Sequence, residues 1–340
     1  MRVLVLGGTI FVGHAVAAAA LARGHEVVCA ARGESGTVPD GATLVRVDRD
    51  ADDGLAPLHG ERFDAVVDVS PLSFPWVTRA LRAFADTAGH WTFVSTISVY
   101  ADESTPGLTP ATGRLRAPRY EHSTREAMLA LGEDGADLYG GIKVASENAV
   151  RDALGERAFV VRPGLVTGAG DRSDRFGYWP ARFGRGGRVL VPASSGASQY
   201  IDVRDLATWI VDAGERGLGG DYDAIGPAQP LSELLRGIAA AIDSDTDSDT
   251  ELVEATDEQL TAGGVNPWSG PHSLPLWVPA TLGQGGWHDP APSIVAGLPI
   301  RPLGEAVADA LARERELGLD RDRKAGLTPA EEAEALATLA

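Results

Sequence analysis

The chain has 340 residues, one cysteine and a formal net charge of −18. That length suits one large domain or two smaller ones around a sizeable core. The acidic balance argues against a nucleic-acid partner, which would want a basic face, but leaves room for arginines to gather round one small anionic ligand.

The chain opens on an apolar run, Val3 to Leu6, that reads as a buried strand and not as a signal peptide. Gly7, Gly8 and Thr9 break it, and Gly13 to Arg23 is alanine-rich and helix-forming. A second strand runs from Glu26 to Ala31 and carries the lone Cys29, read as a buried structural thiol in a reducing cytoplasm. Strand, glycine turn, helix and strand make one βαβ unit, whose helix N-terminus attracts a phosphate. Residues 8–12 (Gly8, Thr9, Ile10, Phe11, Val12) would hold a pyrophosphate, although Ile10 stands where a middle glycine would let it approach closely.

Further strands are expected over Thr43 to Val47, Asp64 to Val69, Trp91 to Ser95 and Arg157 to Arg162, with helices from Phe74 to Ala88 and Tyr139 to Leu154. This alternation predicts a parallel sheet covered by helices on both faces. Residues 101–138 are turn-rich and read as a long loop, functional or mobile, with one helix near Ser123 to Leu131. Beyond Pro163 the pattern loosens into helices over Val203 to Ala213, Leu231 to Ile242 and Leu303 to Leu317, with strands over Asp221 to Ile225 and Glu251 to Ala255. Thr328 then caps a terminal helix that has Pro329 at its first position. No run of 18 apolar residues escapes charge or glycine, so no membrane span is expected.

Lysine occurs only at 143 and 324; the rest of the 30 basic residues are arginine. Lys143 follows Tyr139 by four residues, so both lie on one helix face. A compact ammonium beside a phenol favours the phenolate and makes the tyrosine a usable acid or base.

The Gly7–Gly13 loop, Thr96 in the run Ser95-Thr96-Ile97-Ser98-Val99-Tyr100, and Tyr139-x-x-x-Lys143 in this order resemble the short-chain dehydrogenase/reductase superfamily. The Arg162-Pro163-Gly164 run and Tyr200-Ile201-Asp202-Val203-Arg204-Asp205 resemble its extended branch, the NAD-dependent epimerase/dehydratase family. The resemblance implies an α/β fold: a doubly wound parallel-sheet Rossmann domain over 1–165, with 199–226 returning to it. A smaller mixed α/β C-terminal substrate lobe would comprise 166–198 and 227–325, followed by a helical tail, 326–340. It implies an NADP-dependent oxidoreductase or epimerase transferring hydride at a carbinol or ketone carbon of a nucleotide-sugar-like or polyhydroxylated substrate. Tyr139 would be the general acid/base. Lys143 would bind the nicotinamide ribose and lower the tyrosine pKa. Thr96 would bond the reacting oxygen, with Ser95 and Ser98 as alternatives.

Cofactor contacts are expected from Gly7 through Gly13, from Asp48 and Arg49 near adenine, from Val69, Ser70 and Pro163, and from Tyr139 and Lys143. The second strand ends Ala30-Ala31-Arg32 with no acid before Glu34, which predicts NADP over NAD, since arginine suits a 2′-phosphate. Ser98, Tyr178, Arg182 (or Arg185), Gln199 and Trp277 are the substrate-side candidates, while Asp205 reads as structural. No metal is expected: the run Asp243 to Asp249 with Glu254 nearly fits a calcium loop, but Ser248 replaces the needed glycine. A small-molecule substrate is the expected partner, with neither nucleic acid nor membrane, and a homodimer left open. Two other readings stand beside this one: a ketoreductase for a non-sugar metabolite, and a non-catalytic cofactor-sensing or RNA-binding relative.

Overall fold

The first strands are buried on both faces, and their side chains alternate between two cores. In β1 (Arg2–Leu6), Val3 and Val5 join one cluster while Leu4 and Leu6 join the other. The same two-sidedness recurs in β2 (Glu26–Ala31), β4 (Ala65–Asp68), β5 (His90–Val94) and β6 (Ala158–Pro163), and explains their near-continuous apolar sequence. With β3 (Thr43–Arg46) and β7 (Gly220–Ala224) they form one parallel sheet of order β7-β6-β5-β4-β1-β2-β3. The computed structural model describes residues 1–102, 104–193, 196–246, 250–282 and 286–338.

Helices α1 (Phe11–Ala22) and α5 (Val203–Arg216) cover one face of the sheet, where Val16, Ala20, Leu206 and Ile210 share a core with Val3 and Val5. On the other face α2 (Phe74–Phe84) and α4 (Glu133–Leu154) lay Val77, Leu81, Val150 and Leu154 against Leu4 and Leu6. This is the doubly wound Rossmann arrangement. Strand order reverses between β1 and β4, which opens a crevice at their carboxyl ends, the place where such sheets bind ligands. Helix α4 begins six residues before the expected Tyr139, so Tyr139 stands inside the helix, in its second turn.

A third core lies beyond β6. It joins Trp179, Phe183, Leu190, Leu234, Leu274, Trp277 and Leu311, and is built on a parallel pair, Gly187–Pro192 with Thr250–Ala255. The terminal helix, Pro329–Thr338, starts with the expected Thr328 cap, and the cap is reciprocal: Glu331 N–H donates to Thr328 Oγ1, and Thr328 N–H donates to Glu331 Oε2. It is no loose tail. Leu336 enters the third core, and buried Glu332 accepts bonds from Arg182 Nε and Leu190 N–H. Among the described residues, no helix is long and apolar enough to cross a membrane.

Arg182 and Glu332 are both under 10% exposed, so removing the cation strands a buried carboxylate. Arg182→Ala is expected to cost about 3 kcal/mol or more in urea denaturation, whereas exposed Arg188→Ala is expected to cost under about 1 kcal/mol.

Candidate active site

The crevice floor is the turn after β1, where glycine is required. Gly7 has φ +121°, and a Cβ there would lie 2.4 Å from Val69 Cγ2. A Cβ on Gly8 would lie 2.4 Å from the Sγ of Cys29. Cys29 is thus a packing partner of the turn, and burial pushes its thiol up to about 11. Gly13 lets α1 close onto the turn, its Cβ position being 3.2 Å from Gly8 Cα. Ile10 is extended (φ −144°) and 38% exposed, and it supplies no side-chain cap to α1. The first-turn N–H groups therefore lack a side-chain acceptor, which suits a phosphate. The strain that a middle glycine would carry falls instead on Phe11, at φ +40°. A dinucleotide fits these residues: the cradle is lined by backbone, and side chains at Gly7 or Gly8 would collide with its walls.

Val69 and Ser70 follow β4 beside this turn, held by a buried pair. Arg49 Nη1 and Nη2 each donate at 2.9 Å to Asp68, which also accepts from Ser70 N–H. The Arg49 side chain is thereby committed to the protein, and its expected adenine contact is corrected: it braces the end of β3 against β4. Asp48 is exposed, with its Oδ1 accepting from Asp50 N–H.

Thr96 lies just past β5 and caps the short turn Ile97–Val99. Its Oγ1 accepts from Ser98 N–H at 3.1 Å and lies 3.3 Å from Ser98 Oγ. Ser95 Oγ is spent on Glu147 (2.6 Å), which leaves Thr96 and Ser98 at the crevice. Across from Thr96 is the half-buried Tyr139. Burial pushes its phenol above the ordinary range, while the facing Thr96 hydroxyl and the guanidiniums of Arg125 and Arg175 pull it down. The cations that act on this phenol are thus arginines. Lys143, one turn along, donates to Ser70 O and Val94 O, both at 2.7 Å, and its Nζ lies 4.9 Å from the Phe93 ring centroid. Burial lowers its pKa to about 8, against the opposing pull of Asp68 and Glu147. Two of its three donors serve the carboxyl ends of β4 and β5, so the expectation that it lowers the Tyr139 pKa gives way to a role tying α4 to the sheet. Pro163 closes β6 in the same rim.

The substrate-side expectations fare differently. Tyr178 and Trp277 are buried in the third core, with Trp277 Nε1 bonded to Asp257. Arg182 is paired with Glu332, and Arg185 reaches Asp320. Gln199 Nε2 donates to Gly226 O and His288 O, and its Oε1 accepts from His288 N–H. These residues hold the lobe together. Their apolar and cationic character signalled burial and pairing, which sequence alone does not separate from ligand contact. Asp205 is structural as read, holding Arg301. Sequence reasoning did not single out Arg125, which opens the short helix α3 (Arg125–Ala130), and Arg175, whose charges act on the Tyr139 phenol; an arginine-rich chain gives single arginines no distinguishing signal. Among the described residues no group of metal-ligating side chains gathers, and the side chains of Asp243 to Asp249 lie outside them.

Comparison with known proteins agrees with this geometry. The model of the "NAD dependent epimerase/dehydratase family" matches residues 3–224. The 2′-dehydrokanamycin reductase of Streptomyces kanamyceticus is 32% identical over 214 residues, 62% of this chain and 53% of that protein, so the match spans about half the relative's length. The Bordetella bronchiseptica enzyme WbmH, solved in complex with NAD+, superposes with a TM-score of 0.62 at 19% identity, over 93% of this chain and 99% of that one. RMD from Pseudomonas aeruginosa, complexed with NADPH, gives 0.57 at 17% identity, over 92% and 99%.

These structures correct the NADP expectation. The shared fold is occupied by NAD+ in one neighbour, so NAD is not the lesser candidate. Arg32 is itself exposed, with its Nε 3.7 Å from the equally exposed Glu34 carboxylate, and an arginine at the surface beside an acid does not by itself select a 2′-phosphate.

The neutral preference of Lys143 has a measurable sign. Between about pH 8 and 10.5 the unfolded chain keeps the lysine proton that the folded chain has released, so stability rises with pH. Relative to Lys143→Met, the protein is expected to gain about 3 kcal/mol from pH 7.5 to 10.5 in denaturant titrations. A flat difference would show an unshifted ammonium.

Proposed function

Because the chain belongs to the NAD-dependent epimerase/dehydratase family, we propose that it moves a hydride at a carbinol or ketone carbon with Tyr139 as general acid/base. Oxidoreductase or epimerase chemistry is the activity of this extended short-chain dehydrogenase fold. The observation that carries the finer reading is the facing pair of Thr96 and Tyr139 at the rim of the glycine cradle. Hydride donation and acceptance are what a bound nicotinamide supplies. The turn from Gly7 to Gly13, with Val69, Ser70 and Pro163, would hold it. Thr96 Oγ1 donates to the reacting oxygen. Tyr139 Oη delivers the proton to that oxygen in reduction and takes it up in oxidation. One donor of Lys143 remains for a ribose hydroxyl.

The substrate is a nucleotide-sugar-like or other polyhydroxylated molecule. Similarity to a protein named a reductase supports the reducing direction. Ile97 follows Thr96 where a dehydratase route would want an acid, which weighs against elimination. A ketoreductase for a non-sugar metabolite would want an aromatic substrate wall, and the burial of Trp277 in the third core removes one candidate for it.

The test is Tyr139→Phe, assayed by nicotinamide absorbance on a panel of carbonyl compounds and nucleotide sugars. Turnover is expected to fall at least about a hundredfold while NAD+ affinity stays within about threefold. Unchanged turnover would assign the proton to another group, and loss of NAD+ affinity alone would make Tyr139 a binding residue.

A further inference from the structure

Three segments of chain meet around the head of α1. The turn after β1 supplies Thr9, Ile10 and Phe11. The segment after β2 folds back against it: a Cβ on Gly36 would lie 2.4 Å from Thr9 O and 3.0 Å from Ile10 Cγ2. From the other side comes the stretch 168–173, which leaves the short strand Val166–Thr167. A Cβ on Gly170 would lie 3.5 Å from Phe11 Cα and 3.7 Å from Phe11 N. Arg172 closes the ring, its Nη2 donating at 2.8 Å to Ser35 O. Two distant parts of the chain are thus joined across the N–H groups that a phosphate would meet.

The stretch is firmly held at its ends and lightly between them. At one end Val166 and Thr167 pair with Ile201 and Asp202. At the other, buried Asp174 accepts from Arg321 Nη2 (2.5 Å) and from Lys324 N–H (2.8 Å), and Phe176 enters the third core. Between these anchors the bonds are local: Asp171 N–H donates to Gly168 O, and the Asp171 carboxylate accepts from Ser173 N–H and Oγ. Gly168 and Gly170 hold φ of +119° and +91°, a conformation open to glycine without strain. Among the described residues, the bond from Arg172 is the one hydrogen bond that runs from this stretch to the far side of the cradle. An exposed side chain makes it to a backbone carbonyl, so it is of modest strength and breaks readily. Fixed ends and a weakly tied middle let a few residues lift without disturbing either core.

We propose that residues 168–173 are a strap that gates exchange of the dinucleotide, with Arg172 as its fastener. This rests on the reading of the Gly7–Gly13 turn as a dinucleotide cradle, and not on the role of Tyr139. Fastened, the strap encloses the diphosphate against the head of α1; released, it uncovers the turn. The fastening uses protein groups alone, so opening precedes entry as well as exit.

The experiment follows binding of NADH, and separately of NADPH, to the full chain by stopped-flow fluorescence at fixed ionic strength. With the tighter-binding of the two, Arg172→Ala is expected to raise the association and dissociation rate constants together, each about threefold or more, with Kd held within about twofold. Arg172→Lys, which can still reach a carbonyl, should fall between. Arg188→Ala removes an exposed arginine elsewhere in the lobe and should change neither rate constant. The sign of the association change is decisive. Losing a cation that merely attracts an anionic cofactor slows association, whereas losing a fastener speeds it. Slower association, or faster dissociation alone with Kd weakened in proportion, would make Arg172 a cofactor ligand and overturn the strap. Unchanged rate constants in Arg172→Ala would overturn it as well. Binding of neither dinucleotide would bring down the cradle and the strap together. Tyr139→Phe is expected to leave both rate constants as they are, so failure of the catalytic reading leaves the strap standing.

Discussion

The carboxylate of Glu147 is the constraint on which the rest of the site depends. It is fully buried on α4, one turn after Lys143, and accepts bonds from Arg162 Nε (2.9 Å) and Nη2 (2.7 Å) and from Ser95 Oγ (2.6 Å). Arg162 extends the network through its Nη1 to Tyr100 Oη, which donates to Asp223, and Asp223 pairs with His288. One run of bonds thus joins the helix of Tyr139, the ends of β5 and β6, and the segment Trp287–His288. Tyr139, Lys143 and Glu147 recur every four residues, so fixing Glu147 fixes the rotation of the whole stripe. Such a pair stabilises the fold little in net terms, but with one partner removed the buried charge left behind is costly. Its value here is geometric: it sets where the phenol meets Thr96.

Charge in this molecule divides by partnership. Buried pairs brace strand ends and the third core: Arg49 with Asp68, Arg162 with Glu147 and Arg182 with Glu332. Lys143 is an ammonium satisfied by two carbonyl oxygens, with no carboxylate within ion-pair distance among the described residues. Its lowered pKa is the mark of that choice.

The sheet and cradle were legible because their signals are local. Val3 to Leu6, Gly7, Gly8 and Gly13 declare a strand, a turn and a helix within a dozen residues, and Tyr139 with Lys143 declares a shared face within one turn. Long-range pairing was not legible. Arg49 looked like an adenine contact because Asp68 is 19 residues away in sequence, and Arg182 looked like a ligand residue because Glu332 is 150 residues away. Tyr178 and Trp277 carry the same composition whether they line a pocket or fill a core. Arg32 misled because an exposed arginine at a strand end, with an acid two residues on, does not settle the cofactor.

The clasp between Arg182 and Glu332 has a consequence for how the chain is made. The lobe's first aromatic residues and Arg182 leave the ribosome 150 residues ahead of their carboxylate. At ordinary elongation rates that is on the order of ten seconds. Meanwhile the last strand of the main sheet, Gly220–Ala224, has already emerged, and the sheet can close without the lobe. The nascent chain therefore passes through a stage with one finished domain and one open hydrophobic hemisphere, Trp179 and Phe183 among its residues. That surface gains its buried ion pair only when Glu332 has followed.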